Sequence, residues 1–249
     1  MFDISELTKR LKLPTIQRLY DSEKQKATET NASYEEFLYN LLLSECDARQ
    51  ENQLKARVKN ANFSQKKYLD DLDLDCLPLD GRNKLKSLKT LDFLRQGQNV
   101  ILAGNPGTGK THIATGLGIL ACLQGLKVWY VTVPTFVTML KESASNRTLR
   151  QVENRFASYD LVILDELGYI SFDREGAELL FTNLSLRAGI KSTIITTNLS
   201  FDNWKDIFVD PVMAAAITDR LTHRAYLVNM HGESYRLKET KDWIDSTTN

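Results

Sequence analysis

The sequence predicts an α/β fold: a five-stranded parallel sheet with helices on both faces, preceded by a small all-α region. Five short apolar runs, VILA, KVWYVTV, DLVILDE, STIITTN and AYLVN, alternate with helical stretches from about residue 84 onward. Strand–helix–strand alternation of this kind builds parallel sheets covered on both sides. The first run leads directly into GNPGTGKT, residues 104–111, and then into the helical stretch HIATGLGIL. Residues 1–60, by contrast, carry helical periodicity and no strand-like run.

In chain order, ISELTKRLKL is an amphipathic helix with Ile4, Leu7 and Leu11 on one face. Pro14 precedes a second helix, IQRLYDSEKQKA. Ser33, with Glu36 three residues on, is a capping box that opens a long third helix reaching about residue 61. The acidic stretch DDLDLDCLPLDG, with Pro78 and Gly81, differs in composition from both sides and reads as a linker. The expected division is therefore a helical domain over 1–68, a linker over 69–83 and an α/β domain over 84–249.

GNPGTGKT fits G-x-x-x-x-G-K-[ST], with Gly104, Gly109, Lys110 and Thr111 in the fixed places. A loop that wraps a polyphosphate turns several backbone N–H groups inward, and side chains there would collide with the phosphates. The loop Gly104, Asn105, Pro106, Gly107, Thr108, Gly109 is the expected cradle. Lys110, Thr111 and His112 begin a helix whose N-terminal N–H groups face the anion. Lys110 is placed to reach the β/γ-phosphates, and Thr111 to offer its hydroxyl to Mg²⁺.

The run LVILDE, residues 161–166, suits a buried central strand. It ends in Asp165 and Glu166 at the strand edge where open α/β sheets bind ligands. Asp165 suits the Mg²⁺ shell, and Glu166 is the group to activate a water for attack on the γ-phosphate. A third run, STIITTNLS, leads to Asn198, expected beside the γ-phosphate to help hold that water. No N-K-x-D segment for reading guanine follows in this part of the chain, so ATP is favoured over GTP.

Composition excludes several classes. The 249 residues are 42% hydrophobic and 26% charged, ordinary for a soluble globular protein. With 32 basic and 32 acidic residues the formal net charge is zero, so nucleic-acid binding has no support from overall charge. Cys46, Cys76 and Cys122 form no C-x-x-C and read as buried or partly buried thiols in a reducing cytosol, the expected location. His112, His223 and His231 have no metal-ligand spacing. MFDISELTKRLKLP lacks the apolar core of a signal peptide, and no apolar run is long enough to span a membrane.

GNPGTGKTHIATGLG, then YDLVILDELGYISFDREGAELLF, then STIITTNLSFDNWKDIFVDPVMAAAITDRLTHRA resemble the IstB-like branch of AAA+ ATPases. These assist insertion-sequence transposition and are related to the DnaC/DnaI helicase loaders and, more distantly, to the DnaA initiators. The likeness covers nearly the whole chain. The phosphate loop is widespread, whereas DELGY, DRLTHRA and the nearby GESYRLK are more specific. The resemblance implies a P-loop AAA+ core, ATP with Mg²⁺, a homo-oligomer, duplex DNA as partner and a transposase encoded with the protein. It also implies an arginine donated by a neighbouring subunit; Arg220 and Arg224, both in TDRLTHRA, are candidates between which spacing does not choose. A helicase-loader role in replication is the alternative. A P-loop kinase of a small metabolite is more distant, disfavoured by the order Asp165–Glu166, Asn198 and by the N-terminal helices. Only about 20 residues follow the fifth run, so no C-terminal lid domain and no lid arginine are expected.

DNA contacts are argued locally. Residues 49–67 hold six Lys/Arg against one acid, Glu51, and Lys55, Arg57, Lys59, Lys66 and Lys67 are candidates for phosphates. A second basic stretch, SASNRTLRQVENRF, offers Arg147, Arg150 and Arg155 at the place where the related initiators carry an inserted helix that touches DNA. No helix-turn-helix, zinc-finger or RNP signature occurs, so contacts to phosphates with little sequence preference are expected.

Overall fold

The computed structural model describes residues 3–169, 171–200, 203–204 and 210–247. Ile170 of DELGYI, and residues 201–202 and 205–209 after STIITTNLS, lie outside the described residues. The chain divides into two compact units, Met1–Ala56 and Arg57–Asn249. The expected boundaries at 68/69 and 83/84 do not coincide with this division.

The first unit holds α1 (Ile4–Arg10), α2 (Pro14–Thr30) and most of α3 (Tyr34–Asn60). Asp3 caps α1 by accepting from Ser5 N, and Pro14 occupies the first turn of α2, where a missing N–H costs nothing. The capping box forms: Ser33 N donates to Glu36 Oε2 over 2.8 Å and Glu36 N to Ser33 Oγ over 3.2 Å. Glu45 of α3 is buried and accepts from Thr15 N and Ile16 N at 2.8 and 3.1 Å, capping the start of α2 that its own residues leave open. Burial alone would raise the Glu45 carboxyl, but the Arg49 hydrogen bond and the two backbone donors outweigh it and hold it below the usual range. Ile4, Leu7 and Leu11 do share α1, yet all three are exposed within the unit.

The second unit is built on one sheet of five parallel strands, β1 (Val100–Ala103), β2 (Val128–Thr132), β3 (Leu161–Leu167), β4 (Ser192–Thr197) and β5 (Tyr226–Asn229), in the order β2-β3-β4-β1-β5. Alternation along the strands sorts the core into two layers. Ile101, Trp129, Val131, Val162, Leu164 and Ile195 face α7 (Val133–Ser145), α8 (Leu149–Ser158), α9 (Arg174–Arg187) and α10 (Pro211–Thr222). Val100, Leu102, Val128, Tyr130, Ile163 and Ile194 face α4 (Leu79–Leu88), the short α5 (Asp92–Arg95) and α6 (Lys110–Leu123). A last helix, α11 (Tyr235–Thr247), follows β5.

The segment expected as a linker is folded. Residues 69–71 and 74–76 form 3₁₀ turns, α4 begins at Leu79, and Leu69, Leu77 and Leu85 are buried in the second layer. Leu69, Leu72 and Leu77 pack, whereas Leu74, Leu79 and Asp70, Asp71, Asp73 and Asp75 are exposed, a pattern that reads as acidic and loop-like in composition. Between β2 and β3, α7 and α8 form a hairpin fastened by stacked Phe136 and Phe156, 4.6 Å between ring centroids. Arg187, fully buried, donates to the carbonyls of Phe156, Tyr159 and Ser192 and so ties the end of α8 to the start of β4. Burial lowers the Arg187 guanidinium to about 10, which leaves it charged at neutral pH. Among the described residues no helix is long and apolar enough to cross a membrane.

Candidate nucleotide site

The loop 104–109 joins the C-terminal end of β1 to α6 and is held on two sides. Gly104 N donates to Thr197 O of β4 at 3.1 Å. On the other side, Met230 N donates to Ala103 O, Asn105 Nδ2 to Gly232 O, and Tyr235 N to Gly107 O at 3.0 Å. Gly107 has φ +80°, a left-handed conformation that favours glycine, and a Cβ there would crowd Ser234.

Lys110 is buried, and its Nζ donates to the carbonyls of Gly104 and Asn105, each at 2.6 Å. Burial pushes its ammonium down to about 8, with Asp165 pulling upward and Arg236 adding to the fall. Thr111 Oγ1 donates to Asp165 Oδ1 at 3.1 Å, which joins the first turn of α6 to β3. Asp165 is buried with both oxygens engaged: Thr196 Oγ1 also donates to Oδ1, and Tyr130 Oη donates to Oδ2 at 2.5 Å. Burial first, and then the bond to Asp165, raise the Tyr130 hydroxyl far above its ordinary range, so it stays a donor.

Glu166 follows at φ +67°, a left-handed conformation that a non-glycine residue adopts at a cost of about 1 kcal/mol. Its N–H donates to Thr196 Oγ1 at 3.0 Å, which fixes the turn and leaves the carboxylate exposed.

Gly107, Lys110, Thr111, Glu166 and Thr196 line a cavity of about 360 Å³ together with Pro106, Thr108, His112 and Thr197, and Asp165 lies buried behind Thr111 and Thr196. The paired oxygens of Thr111 and Asp165 are the hard donors that Mg²⁺ takes, so the residues fit that ion. His112 Nε2 is 2.7 Å from the carbonyl of Tyr68. Asn198 sits one residue past β4, half-buried, with its Oδ1 lacking a hydrogen-bond partner among the described residues; Thr196 and Thr197 form the cavity wall at that strand.

Arg236, Tyr130 and Thr196 are among the residues at the site that escaped sequence reasoning. Arg236, on α11, reaches the cavity although no lid arginine was expected. Tyr130 and Thr196 are buried in apolar strands, and nothing in their spacing marks them as partners of Asp165.

Arg220 and Arg224 lie elsewhere. Both are exposed and line a second cavity with Gln98, Asn99, Gly189 and His223, at the N-terminal ends of β1 and β4, opposite the phosphate loop. The Arg220 guanidinium sits 5.0 Å above the Phe181 ring.

The candidate DNA residues scatter. Lys59 and Lys66 are exposed, as are Arg147 and Arg150 on the α7–α8 hairpin. Lys55, in the first unit, pairs with Glu51 at 2.6 Å. Arg57 is half-buried, its guanidinium 3.9 Å from the place of a Gly125 Cβ. Lys67 belongs to the wall of the nucleotide cavity.

Known proteins match this arrangement. The family model described as IstB-like ATP binding protein matches residues 6–242. A Pseudomonas aeruginosa protein of insertion sequence IS21, named for ATP binding, is 36% identical over 97% of this chain and 91% of its own. A counterpart from insertion sequence IS5376 of Geobacillus stearothermophilus is 32% identical over 96% and 95%. Among solved structures, AMPPCP-bound DnaA from Aquifex aeolicus superposes with a TM-score of 0.57 at 21% identity, covering 74% of this chain and 56% of that one. DnaI gives 0.56 at 23% identity, covering 66% and 91%. These structural neighbours share the P-loop AAA+ fold. The chain belongs to the IstB-like ATP-binding family.

Proposed function

We propose that the chain is a Mg²⁺-dependent ATPase that assembles with ATP on duplex DNA and assists a transposase in DNA transposition. One arrangement carries the reading: the phosphate loop with Asp165 and Glu166 stands at one edge of the sheet, and Arg220 and Arg224 at the other. Lys110 and the loop N–H groups anchor the phosphates, and the exposed Glu166 carboxylate orients a water and takes its proton as it attacks the γ-phosphorus. Thr111 and Asp165 would hold Mg²⁺, which when bound neutralises charge on the phosphates. Asn198 helps hold the attacking water.

Arg220 and Arg224 face away from their own cavity, so they serve a neighbour's. An arginine supplied in trans balances charge developing on the transferred phosphoryl group. The N-terminal helices, α1 to α3, form the DNA-binding and assembly region. Exposed Lys59, Lys66, Arg147 and Arg150 contact phosphates, with little sequence preference. The insertion-sequence origin of the relatives favours transposition over helicase loading.

Mixing two inactive proteins tests the reading. Lys110→Ala lacks the anchor, and Arg220→Ala/Arg224→Ala lacks the donated arginine. Neither hydrolyses ATP alone, while the mixture recovers turnover on DNA because an intact loop meets an intact arginine. A mixture that stays inactive, although both proteins enter the same particle, refutes the trans assignment.

A further inference from the structure

Residues 61–69 form a strap across the second unit, and it touches the site at several points. Ala61 O accepts from Tyr130 N at 2.8 Å, on the edge strand β2. Ser64 Oγ donates to Tyr130 Oη at 3.2 Å. The Phe63 ring lies 6.2 Å from that of Tyr130 and packs on α6, where a Cβ on Gly118 would come within 2.8 Å of it. Leu69 covers Gly116 on the same helix, and Tyr68 O meets His112. The strap therefore rests on the helix that carries Lys110 and Thr111, and its Ser64 hydroxyl meets the Tyr130 hydroxyl that donates to the Asp165 carboxylate.

We propose that Tyr130 is a positioning residue for Asp165, and that Ser64 of the strap acts on Asp165 through it. The two carboxylate oxygens are divided. Oδ1 takes Thr111 and Thr196, and Oδ2 takes Tyr130. A carboxylate rotates about its Cβ–Cγ bond unless both oxygens are engaged. Tyr130 supplies the only donor to Oδ2 among the hydrogen bonds of the described residues, so it holds the plane in which the carboxylate presents its other oxygen to Thr111. The relay Ser64 Oγ–H to Tyr130 Oη–H to Asp165 Oδ2 runs in one direction, and each bond polarises the next. The proposal rests on the reading of Asp165 as the Mg²⁺-side carboxylate.

Tyr130→Phe keeps the ring in its packing and removes only the hydroxyl. The measurement is equilibrium binding of a non-hydrolysable ATP analogue, with EDTA and across a Mg²⁺ titration, alongside thermal unfolding. In Tyr130→Phe the affinity in EDTA stays within about twofold, while the gain conferred by Mg²⁺ shrinks about tenfold, as expected for a lost hydrogen bond to a charged group. Ser64→Ala, an exposed change that folding tolerates, moves the gain in the same direction by less. The double variant is no worse than Tyr130→Phe alone, because Ser64 has no other route. An unchanged Mg²⁺ gain in Tyr130→Phe overturns the proposal, as does an equal loss in EDTA, which marks a purely structural role. Additive losses in the double variant overturn the Ser64 link. A parent chain with no Mg²⁺ gain at all refutes the metal-side reading itself, and the proposal with it.

Discussion

Thr111 Oγ1 and Asp165 Oδ1, 54 residues apart in sequence, meet at 3.1 Å and close the gap between the first turn of α6 and the end of β3. Valine at position 111 keeps the shape of threonine and loses the oxygen. Thr111→Val is expected to bind nucleotide in EDTA as the parent does and to lose about tenfold or more of the affinity that Mg²⁺ adds. Isothermal titration with and without Mg²⁺ reads the difference; equal Mg²⁺ dependence in the two proteins contradicts the donor role.

Glu166 holds its left-handed turn through a backbone bond to Thr196, not through its carboxylate. Glu166→Gln should therefore leave the loop and the nucleotide affinity intact. Turnover is expected to fall at least about a hundredfold, since an amide takes no proton. Phosphate release under saturating ATP measures it, and parent-like turnover removes Glu166 from the proposed chemistry.

Lys110 has a pH signature. Burial sets its ammonium at about 8 in the nucleotide-free chain. Below that pH the charged form is already present and affinity is flat. Above it the amine must be protonated on binding, so affinity falls by up to about tenfold per pH unit. Lys110→Ala removes both the affinity and the break. Fluorescent-ATP binding from pH 6.5 to 9.5 checks the sign; affinity that rises above pH 8 contradicts it.

Duplex binding through phosphates is salt-dependent. Each contact contributes about −0.9 to the slope of log K against log[salt]. Lys59→Ala/Lys66→Ala removes two exposed charges and should flatten the slope while weakening all sequences alike. Binding isotherms on two unrelated duplexes from 50 to 300 mM salt decide it, and a loss confined to one duplex speaks for base readout instead.

Much of the second unit was legible in the sequence because its strands are continuous apolar runs and its loop is spelled by glycine and lysine at fixed spacing. β1 to β5 fall where VILA, WYVT, LVILDE, STIITT and YLVN lie. Asp165 and Thr111 were legible for the same reason, one ending a strand and the other starting a helix. Arg236 was not, because only the return of α11 onto the loop, through Met230 N to Ala103 O and Tyr235 N to Gly107 O, brings it to the cavity. The 69–83 segment was misleading in composition. Its aspartates dominate the reading, whereas Leu69 and Leu77 determine its packing. Tyr130 is hidden by its strand: it packs among apolar neighbours, and only the hydroxyl at its far end reaches Asp165.

The proposed dependence of hydrolysis on assembly is tested most directly by turnover per subunit and particle mass, read from the same samples across a dilution series with and without duplex DNA. A site that waits for a neighbour's arginine gains about 10³–10⁵ in rate when it arrives. The expected result is negligible turnover at monomer mass, rising with particle mass, and a shift of the whole curve to lower protein concentration when duplex is present. Full turnover per subunit in dilute monomer without DNA contradicts it.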